Sequence, residues 1–324
     1  MHSNKTVKIS VLMSVHNGSD YLKEAIQSVL DQTFKNFEFI IVDDGSTDES
    51  VEIIRSFSDE RIVHISNKKN IGLTLSLRRA LSLARGEYIA RIDADDIYTC
   101  QKLMLQNKFL DRNKNHGLVA SSTIRIDQTG KEMQKISCKI RDLEICSLMV
   151  SENPFVHGSV MMRRNIVLKV GGYRDHFVTT QDFDLWVRVA EVSLIGAIPD
   201  FLYLRRMHSE RIGVRHKEMQ KSFTNDVIVN LKMRASGGND NFGYAIPDKD
   251  VSPESKWIRN RWSLCVKNSS RSFLSPWLQA GIYLNSGRSP LAVLTALYFI
   301  SYIKARRRLS SLISVVRLNL LRKQ

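Results

Sequence analysis

Residues 87–96 read Glu87-Tyr88-Ile89-Ala90-Arg91-Ile92-Asp93-Ala94-Asp95-Asp96, an apolar strand-like run that ends in three carboxylates within four residues. Carboxylates packed this closely repel one another unless a cation or a hydrogen-bond donor sits among them. Hard divalent ions prefer oxygen ligands, and Mg²⁺ commonly takes one or two carboxylates together with substrate phosphates. At the C-terminal end of a strand, such a cluster predicts a metal–diphosphate site. The plain alternative is a solvated acidic loop that caps the next helix.

Upstream, the chain alternates strand and helix. Lys8 to Val15 reads as a buried strand and is followed by the polar loop Ser14–Ser19. Leu22, Ala25, Ile26, Val29 and Leu30 then recur at helical spacing. Phe37 to Val42 is a second strand ending in Asp43-Asp44-Gly45-Ser46, where Ser46 and Glu49 have capping-box spacing for the next helix. Arg61 to Ile65 is a third strand, and Thr74 to Arg85 is a helix that Gly86 ends. Glu87 to Ile92 is the fourth strand. This order is the signature of a doubly wound, mostly parallel sheet flanked by helices, in which ligands bind beyond the carboxyl ends of the strands. The loops at 14–19, 43–46 and 93–96 should therefore converge. The first of them carries neither a Gly-x-Gly-x-x-Gly turn nor a P-loop lysine, which excludes the common phosphate cradles and leaves phosphate charge to a metal.

Downstream, a helix is expected from Thr99 to Arg112, a strand over Gly117–Ile126, a turn at Asp127–Gly130 and a helix from Arg141 to Val150. The loop Asn153–Ser159 leads into the short strand Val160–Met162, and Arg164–Val170 ends at Gly171-Gly172-Tyr173. A helix with a wide buried face starts near Phe183, with Thr180 as its N-cap and Asp182 and Asp184 in its first turn. Ser193–Leu204 holds further strand, followed by Arg205-Arg206-Met207-His208-Ser209. Trp186 reads as core, and Arg205-Arg206 by default as a solvated basic pair.

Taken in order, SVHNGSDYLKEAIQSVLDQTFKNFEFIIVDDGSTDES, RIDADD, HGSVMMRR, GGY, QDFDLW and RRMHS resemble family 2 glycosyltransferases of the GT-A fold, over roughly residues 7–212. The resemblance implies a Rossmann-like catalytic domain. It also implies inverting transfer of a hexosyl or N-acetylhexosaminyl group from a nucleotide diphosphate sugar, UDP favoured, to a hydroxyl of a glycan or lipid-linked acceptor. Under it, Ser14, His16 and Asn17 lie beside the nucleotide, Asp44 contacts the base, Asp43 positions it, and Asp93 lies near the ribose. Asp95 binds Mg²⁺ or Mn²⁺ on the diphosphate, with Asp96 able to share that work. Asp182 is the general base, Asp184 its competitor, and Gln181 stands where the family usually has Glu. His157 lines the acceptor cleft or is a satisfied loop histidine. Read from the residues themselves, His208 approaches the metal or diphosphate or sits at the surface, and Arg205 and Arg206 pair with phosphate if they are not a solvated pair. The chemistry agrees: displacement needs a base for the acceptor proton and a counter-charge on the leaving diphosphate.

The net charge of +15 is concentrated at the C-terminus: residues 255–324 hold thirteen Lys or Arg and no Asp or Glu. A near-neutral domain with a basic, apolar tail points to an anionic membrane surface and away from nucleic acid. Leu291–Ile303 is 13 residues long, too short to span about 30 Å of hydrocarbon as a helix. Lys304–Arg308 and the helical spacing of Leu309, Leu312, Ile313, Val316 and Leu320 read as basic amphipathic helices in the interface. The alternative is a helical hairpin packed on the catalytic domain or on a dimer partner. The expected organisation is a catalytic domain over 1–235, a linker over 236–254 and a mainly helical basic region over 255–324. Cys100, Cys138, Cys146 and Cys265 lack zinc or CxxC spacing and are expected as free thiols. With no signal-peptide core after Met1, the expected place is the cytoplasmic face of a membrane, in surface polysaccharide, lipopolysaccharide or capsule synthesis. Two other functions compete. A nucleotidyltransferase making nucleotide sugars needs a basic Gly-rich first loop, which is absent. A non-catalytic nucleic-acid binder would have to rest on the tail alone.

Overall fold

The computed structural model describes residues 6–139, 141–209 and 217–244, together with Ile258 and Trp262. The chain divides into two compact units, Met1–Asp250 and Val251–Gln324. The second is described only at Ile258 and Trp262, both helical and buried. The basic amphipathic helices expected over 255–324 otherwise lie outside the described residues.

The first unit is built on one mixed sheet of nine strands among the described residues. β1 (Ile9–Val15), β2 (Phe37–Asp43), β3 (Ile62–Ser66) and β4 (Tyr88–Arg91) form its parallel half, in the order β3-β2-β1-β4. The sheet continues through β8 (Met161–Arg163), β6 (His116–Ile126), β9 (Leu194–Arg206) and β5 (Ile97–Tyr98), and β7 (Glu132–Ile136) pairs with β6. Every residue of β2 is buried, as expected of a strand covered on both faces. α1 (Ser19–Leu30), α2 (Ser50–Arg55) and α4 (Lys102–Arg112) supply Leu22, Ile26, Val29, Ile54, Leu103 and Leu110 to one core. The strands contribute Val11, Met13, Phe39, Ile41 and Ala90 to the same core. α3 (Leu73–Leu83) contacts β1 and β2, and α7 (Gln181–Val192) contacts β6. α5 (Asp142–Met149), α6 (Arg164–Lys169) and α8 (Lys217–Ala235) complete the unit. Cys100, Cys138 and Cys146 are free thiols, and Cys265 lies outside the described residues.

Register decides where the site lies. Val15 stands opposite Asp43, Asp43 opposite Ser66, and Leu12 opposite Arg91. The loops after β1, β2, β3 and β4 therefore leave the same edge. β8 runs antiparallel to β4 with Met161 opposite Ala90, so the turn His157–Ser159 reaches that edge too.

Several local expectations change. α2 starts at Ser50, without the Ser46–Glu49 box, because the Ser46 amide donates to Asp43 and its hydroxyl accepts from the Asn17 amide. Gly86 is not the C′ residue of α3, which ends at Leu83 with Ala84 already extended. Its role is close approach: a Cβ there would lie 2.5 Å from the Ser10 amide of β1. Residues 236–244, expected as the head of a linker, instead fold onto α8 and bury Asp240.

Candidate active site

The first two loops hold each other. Asn17 adopts φ 51°, a conformation Asn tolerates, and its Oδ1 accepts the Thr47 amide at 2.8 Å. The amides of Gly18 and Ser19 donate to Ser50 and Asp48, each at 3.0 Å. His16 is exposed, with Nδ1 3.0 Å from the Asp44 carbonyl, and Ser14 is half-buried at the end of β1. Asp43 and Asp44 are both 2% exposed. Asp43 accepts the Ser46 amide at 3.1 Å. Asp44 accepts the Asn67 side-chain amide at 2.7 Å and the Ile71 and Gly72 amides at 2.9 and 2.8 Å. Three of a carboxylate's roughly four acceptor positions are thus used to fold the loop after β3. Asp44 shapes the wall of the crevice and keeps little acceptor capacity for a ligand.

The acidic cluster divides its three carboxylates. Asp93 forms an ion pair with Arg91, which is 1% exposed on β4. Burial works against the Asp93 charge, yet Arg91 holds its carboxyl below the ordinary range. Asp96 is buried, accepting the Tyr203 hydroxyl at 2.6 Å and the Arg206 amide at 2.7 Å. Burial, with Asp95 and Asp93 nearby, pushes the Asp96 carboxyl well above the usual carboxylate range. Asp95 is half-buried, and its Oδ2 lies 2.8 Å from His208 Nε2. The His208 ring also rests against Tyr21, with centroids 5.4 Å apart. Arg205 is half-buried on β9, and its charge reaches Asp93. Its neighbour Arg206 is not solvated but 1% exposed, donating to the carbonyls of Asp95 and Gln128 at 3.0 and 2.9 Å and pairing with Glu24.

A divalent ion fits this donor set. Asp95 and His208 offer an oxygen and a nitrogen side by side, next to two further carboxylates whose mutual repulsion a cation relieves. Among the described residues no three His, Cys, Asp or Glu side chains are placed to enclose a metal. A cation here needs further ligands from outside the protein, the arrangement expected when phosphate oxygens complete the shell.

The start of α7 lies within reach of the Arg91 and Asp93 charges. There Asp182 is half-buried, with Oδ1 accepting the Phe183 amide at 2.7 Å and Oδ2 the Asn153 side-chain amide at 3.0 Å. Burial raises its carboxyl above the usual range, against the pull of those two donors and of the Arg91 charge. Asp184, the competing base, is shut away: at 1% exposure it lies between Arg174 and Arg188, with Arg188 Nη2 at 2.6 Å. Gln181 is 3% exposed, and its Oε1 has no hydrogen-bond partner among the described residues. His157 is 8% exposed, 2.9 Å from the Tyr173 hydroxyl and edge-on to the fully buried Trp186. Burial and the Arg91 charge push the His157 imidazole well below its usual value, so it stays neutral. Sequence reasoning assigns no role to four residues that shape this site: Arg91, Tyr203, Arg174 and Asn67. Only Arg91 has a visible signal, a cation inside an apolar strand.

Known proteins share this architecture. The sequence pattern described as "Glycosyl transferase family 2" matches residues 10–171. The putative glycosyltransferase EpsE of Bacillus subtilis is 33% identical over 232 residues, covering 70% of this chain and 82% of EpsE. An uncharacterized glycosyltransferase of Methanocaldococcus jannaschii is 33% identical over 240 residues, covering 68% and 82%. Among solved structures, S. aureus TarS 1-349 in complex with UDP-GlcNAc superposes with a TM-score of 0.54 at 15% identity, covering 92% of both chains. Mannosyltransferase PcManGT from Pyrobaculum calidifontis, in complex with GDP-Man and Mn²⁺, does so with a TM-score of 0.52 at 16% identity, covering 92% and 85%. At that identity the solved structures speak for the fold, while the sequence relatives span most of both chains. The chain belongs to glycosyl transferase family 2 and is a glycosyltransferase of the GT-A fold.

Proposed function

We propose that the protein transfers a sugar from a nucleotide diphosphate donor to an acceptor hydroxyl with inversion, using Asp182 as general base and Asp95 with His208 as the metal ligands. The observation that carries this reading is the 2.8 Å pairing of Asp95 with His208 at the strand edge. When bound, Mg²⁺ or Mn²⁺ supplies positive charge to the diphosphate as it leaves. The protein's own part is separate. Asp182 takes the proton of the acceptor hydroxyl, whose oxygen then bonds to the anomeric carbon as the bond to the diphosphate oxygen breaks. Asn153 fixes one oxygen of the base. Asp93, kept ionised by Arg91, serves the donor side. The loops at 14–19 and 43–46 form the nucleotide wall.

UDP is the favoured donor nucleotide, supported by fold neighbours in complex with UDP or UDP-GlcNAc. The neighbour in complex with GDP-Man and Mn²⁺ supports a hexosyl donor and a divalent ion in the same architecture. We further propose that the acceptor is a glycan or lipid-linked sugar of a surface polysaccharide, and that residues 255–324 hold the enzyme to an anionic membrane face.

The test is thermal stabilisation of the full chain by UDP with and without Mn²⁺. Saturation at a hundred times Kd contributes about 2.7 kcal/mol. Stabilisation that requires Mn²⁺ and disappears in Asp95→Ala and His208→Ala is expected. Mn²⁺-dependent stabilisation that survives Asp95→Ala would sink the metal assignment.

A further inference from the structure

The family pattern ends at residue 171, and Asp182 lies beyond it. One contact to Asp182, from Asn153, lies inside the pattern, but the ion pairs that hold the first turn of α7 are beyond it. α7 begins at Gln181 without a side-chain cap: Thr180 makes no capping bond, and its buried Oγ1 has no partner among the described residues. A helix N-terminus left uncapped frays unless something else fixes its first turn.

Here the fixing is done by charge. Asp184, one residue past Phe183 in that first turn, receives Arg174 Nε at 2.9 Å and Arg188 Nη2 at 2.6 Å. Arg174 also reaches away from α7, its Nη1 donating to Asp240 Oδ2 at 2.5 Å. Asp240 is 5% exposed. Its Oδ2 also receives Arg234 Nη1 of α8 at 2.7 Å, and its Oδ1 receives the amides of Phe242 and Tyr244 at 3.0 and 2.9 Å. Arg234 Nε in turn donates to Glu191, near the far end of α7, at 2.9 Å. The Arg174 guanidinium lies 5.2 Å from the Phe177 ring centroid and 4.9 Å from that of Phe242. Arg174, Arg188 and Arg234 thus balance Asp184, Glu191 and Asp240 inside the protein. Removing one member leaves an opposite charge buried and unpaired.

We propose that Asp240, acting through Arg174 and Asp184, is a positioning residue for Asp182, so that α8 and the turn at 236–244 are a working part of the active site. This rests on the reading of Asp182 as the base. The logic is geometric: the forked guanidinium of Arg174 spans the turn at 240 and the first turn of α7, and it substitutes for the missing cap. A shift of about 1 Å in a reacting group costs on the order of a hundredfold in rate, while the nucleotide wall, built from β1 to β4, is untouched.

The experiment is steady-state kinetics of full-length Asp240→Asn with UDP-sugar donor and a glycan acceptor, run well below its melting temperature. We expect kcat to fall at least about tenfold, with donor KM and Mn²⁺-dependent UDP stabilisation unchanged, and partial recovery in Asp240→Glu. Wild-type kcat in Asp240→Asn overturns the proposal, as does a loss of UDP binding parallel to the loss of rate, which marks general unfolding. Should Asp240→Asn not fold, Arg174→Lys decides: it keeps the charge but loses the fork, and wild-type kcat there overturns the proposal equally. Failure of the base assignment looks different, because it is read as transfer surviving in Asp182→Asn.

Discussion

Arg91 is the residue whose charge bears on both sides of the site. It is buried at the end of β4, paired with Asp93, and its Nε has no acceptor among the described residues. Its charge also bears on Asp182, whose carboxyl it pulls down against the upward push of burial. A general base works ionised, so a raised carboxyl moves the loss of activity to higher pH, and the rate falls as pH drops through that value. We expect the acid limb of the pH–rate profile to lie above the ordinary carboxylate range. Arg91→Gln removes the cation that favours the ionised form and should move that limb higher still, while Arg91→Lys should hold it. An acid limb unmoved in Arg91→Gln would separate Arg91 from the proposed base. Asp182→Asn should lower kcat by about 10²–10⁴, the usual contribution of general base catalysis, with UDP and Mn²⁺ still stabilising the protein. Retained transfer in that variant would assign the proton to another group.

Between elements, the site depends on close approaches that side-chain size controls. Gly158, in the turn before β8, faces Tyr203 of β9 so tightly that a Cβ would fall 2.0 Å from the tyrosine hydroxyl oxygen. That hydroxyl donates to Asp96 at 2.6 Å. Gly158→Ala must displace Tyr203 and loosen the acidic loop. Overpacking of this kind costs about 1–3 kcal/mol, and each kcal/mol lowers Tm by about 2–4 °C in a unit of this size. Gly238→Ala is the control, since its nearest neighbour would be 3.5 Å away. Calorimetry of the two variants checks the contrast, and equal melting temperatures would remove the role given to Gly158. The same scale explains what is legible in the sequence. Strands β1 to β4 and their loops could be read because each apolar run ends in a polar loop, and parallel register puts those loops at one edge. The Tyr203–Asp96 contact could not be read, for its partners are 107 residues apart and meet only because β9 returns to pair with β5. By sequence Arg206 reads as a surface cation next to Arg205, yet alternation along β9 turns it inward onto the carbonyls of Asp95 and Gln128. Asp240 sits in a Gly-rich stretch that composition alone marks as linker, and its ion pairs and the amides folded around it reveal it as part of the fold.

Across the whole molecule, charge is unevenly distributed. Of a net +15, thirteen positive charges with no negative ones fall in residues 255–324, so the rest of the chain is close to neutral. Such a distribution is poorly suited to a domain-wide nucleic-acid surface, where basic residues would be spread over the folded unit. It suits a surface bearing anionic lipid, where each Lys or Arg near the headgroups contributes about 1 kcal/mol and salt screens the attraction within a Debye length. In the proposed membrane contact, the apolar residues 291–303 would add area to bury in the interface. We expect the full chain to sediment with vesicles containing phosphatidylserine and to be released as salt is raised. Arg306, Arg307 and Arg308 all changed to Glu should weaken that binding by about a hundredfold or more, at about 1 kcal/mol for each charge removed. The same variant should keep its Mn²⁺-dependent stabilisation by UDP, because the residues assigned to the donor site all belong to the first unit. Equal sedimentation with neutral and anionic vesicles, or none with either, would reassign the basic tail to contacts with protein.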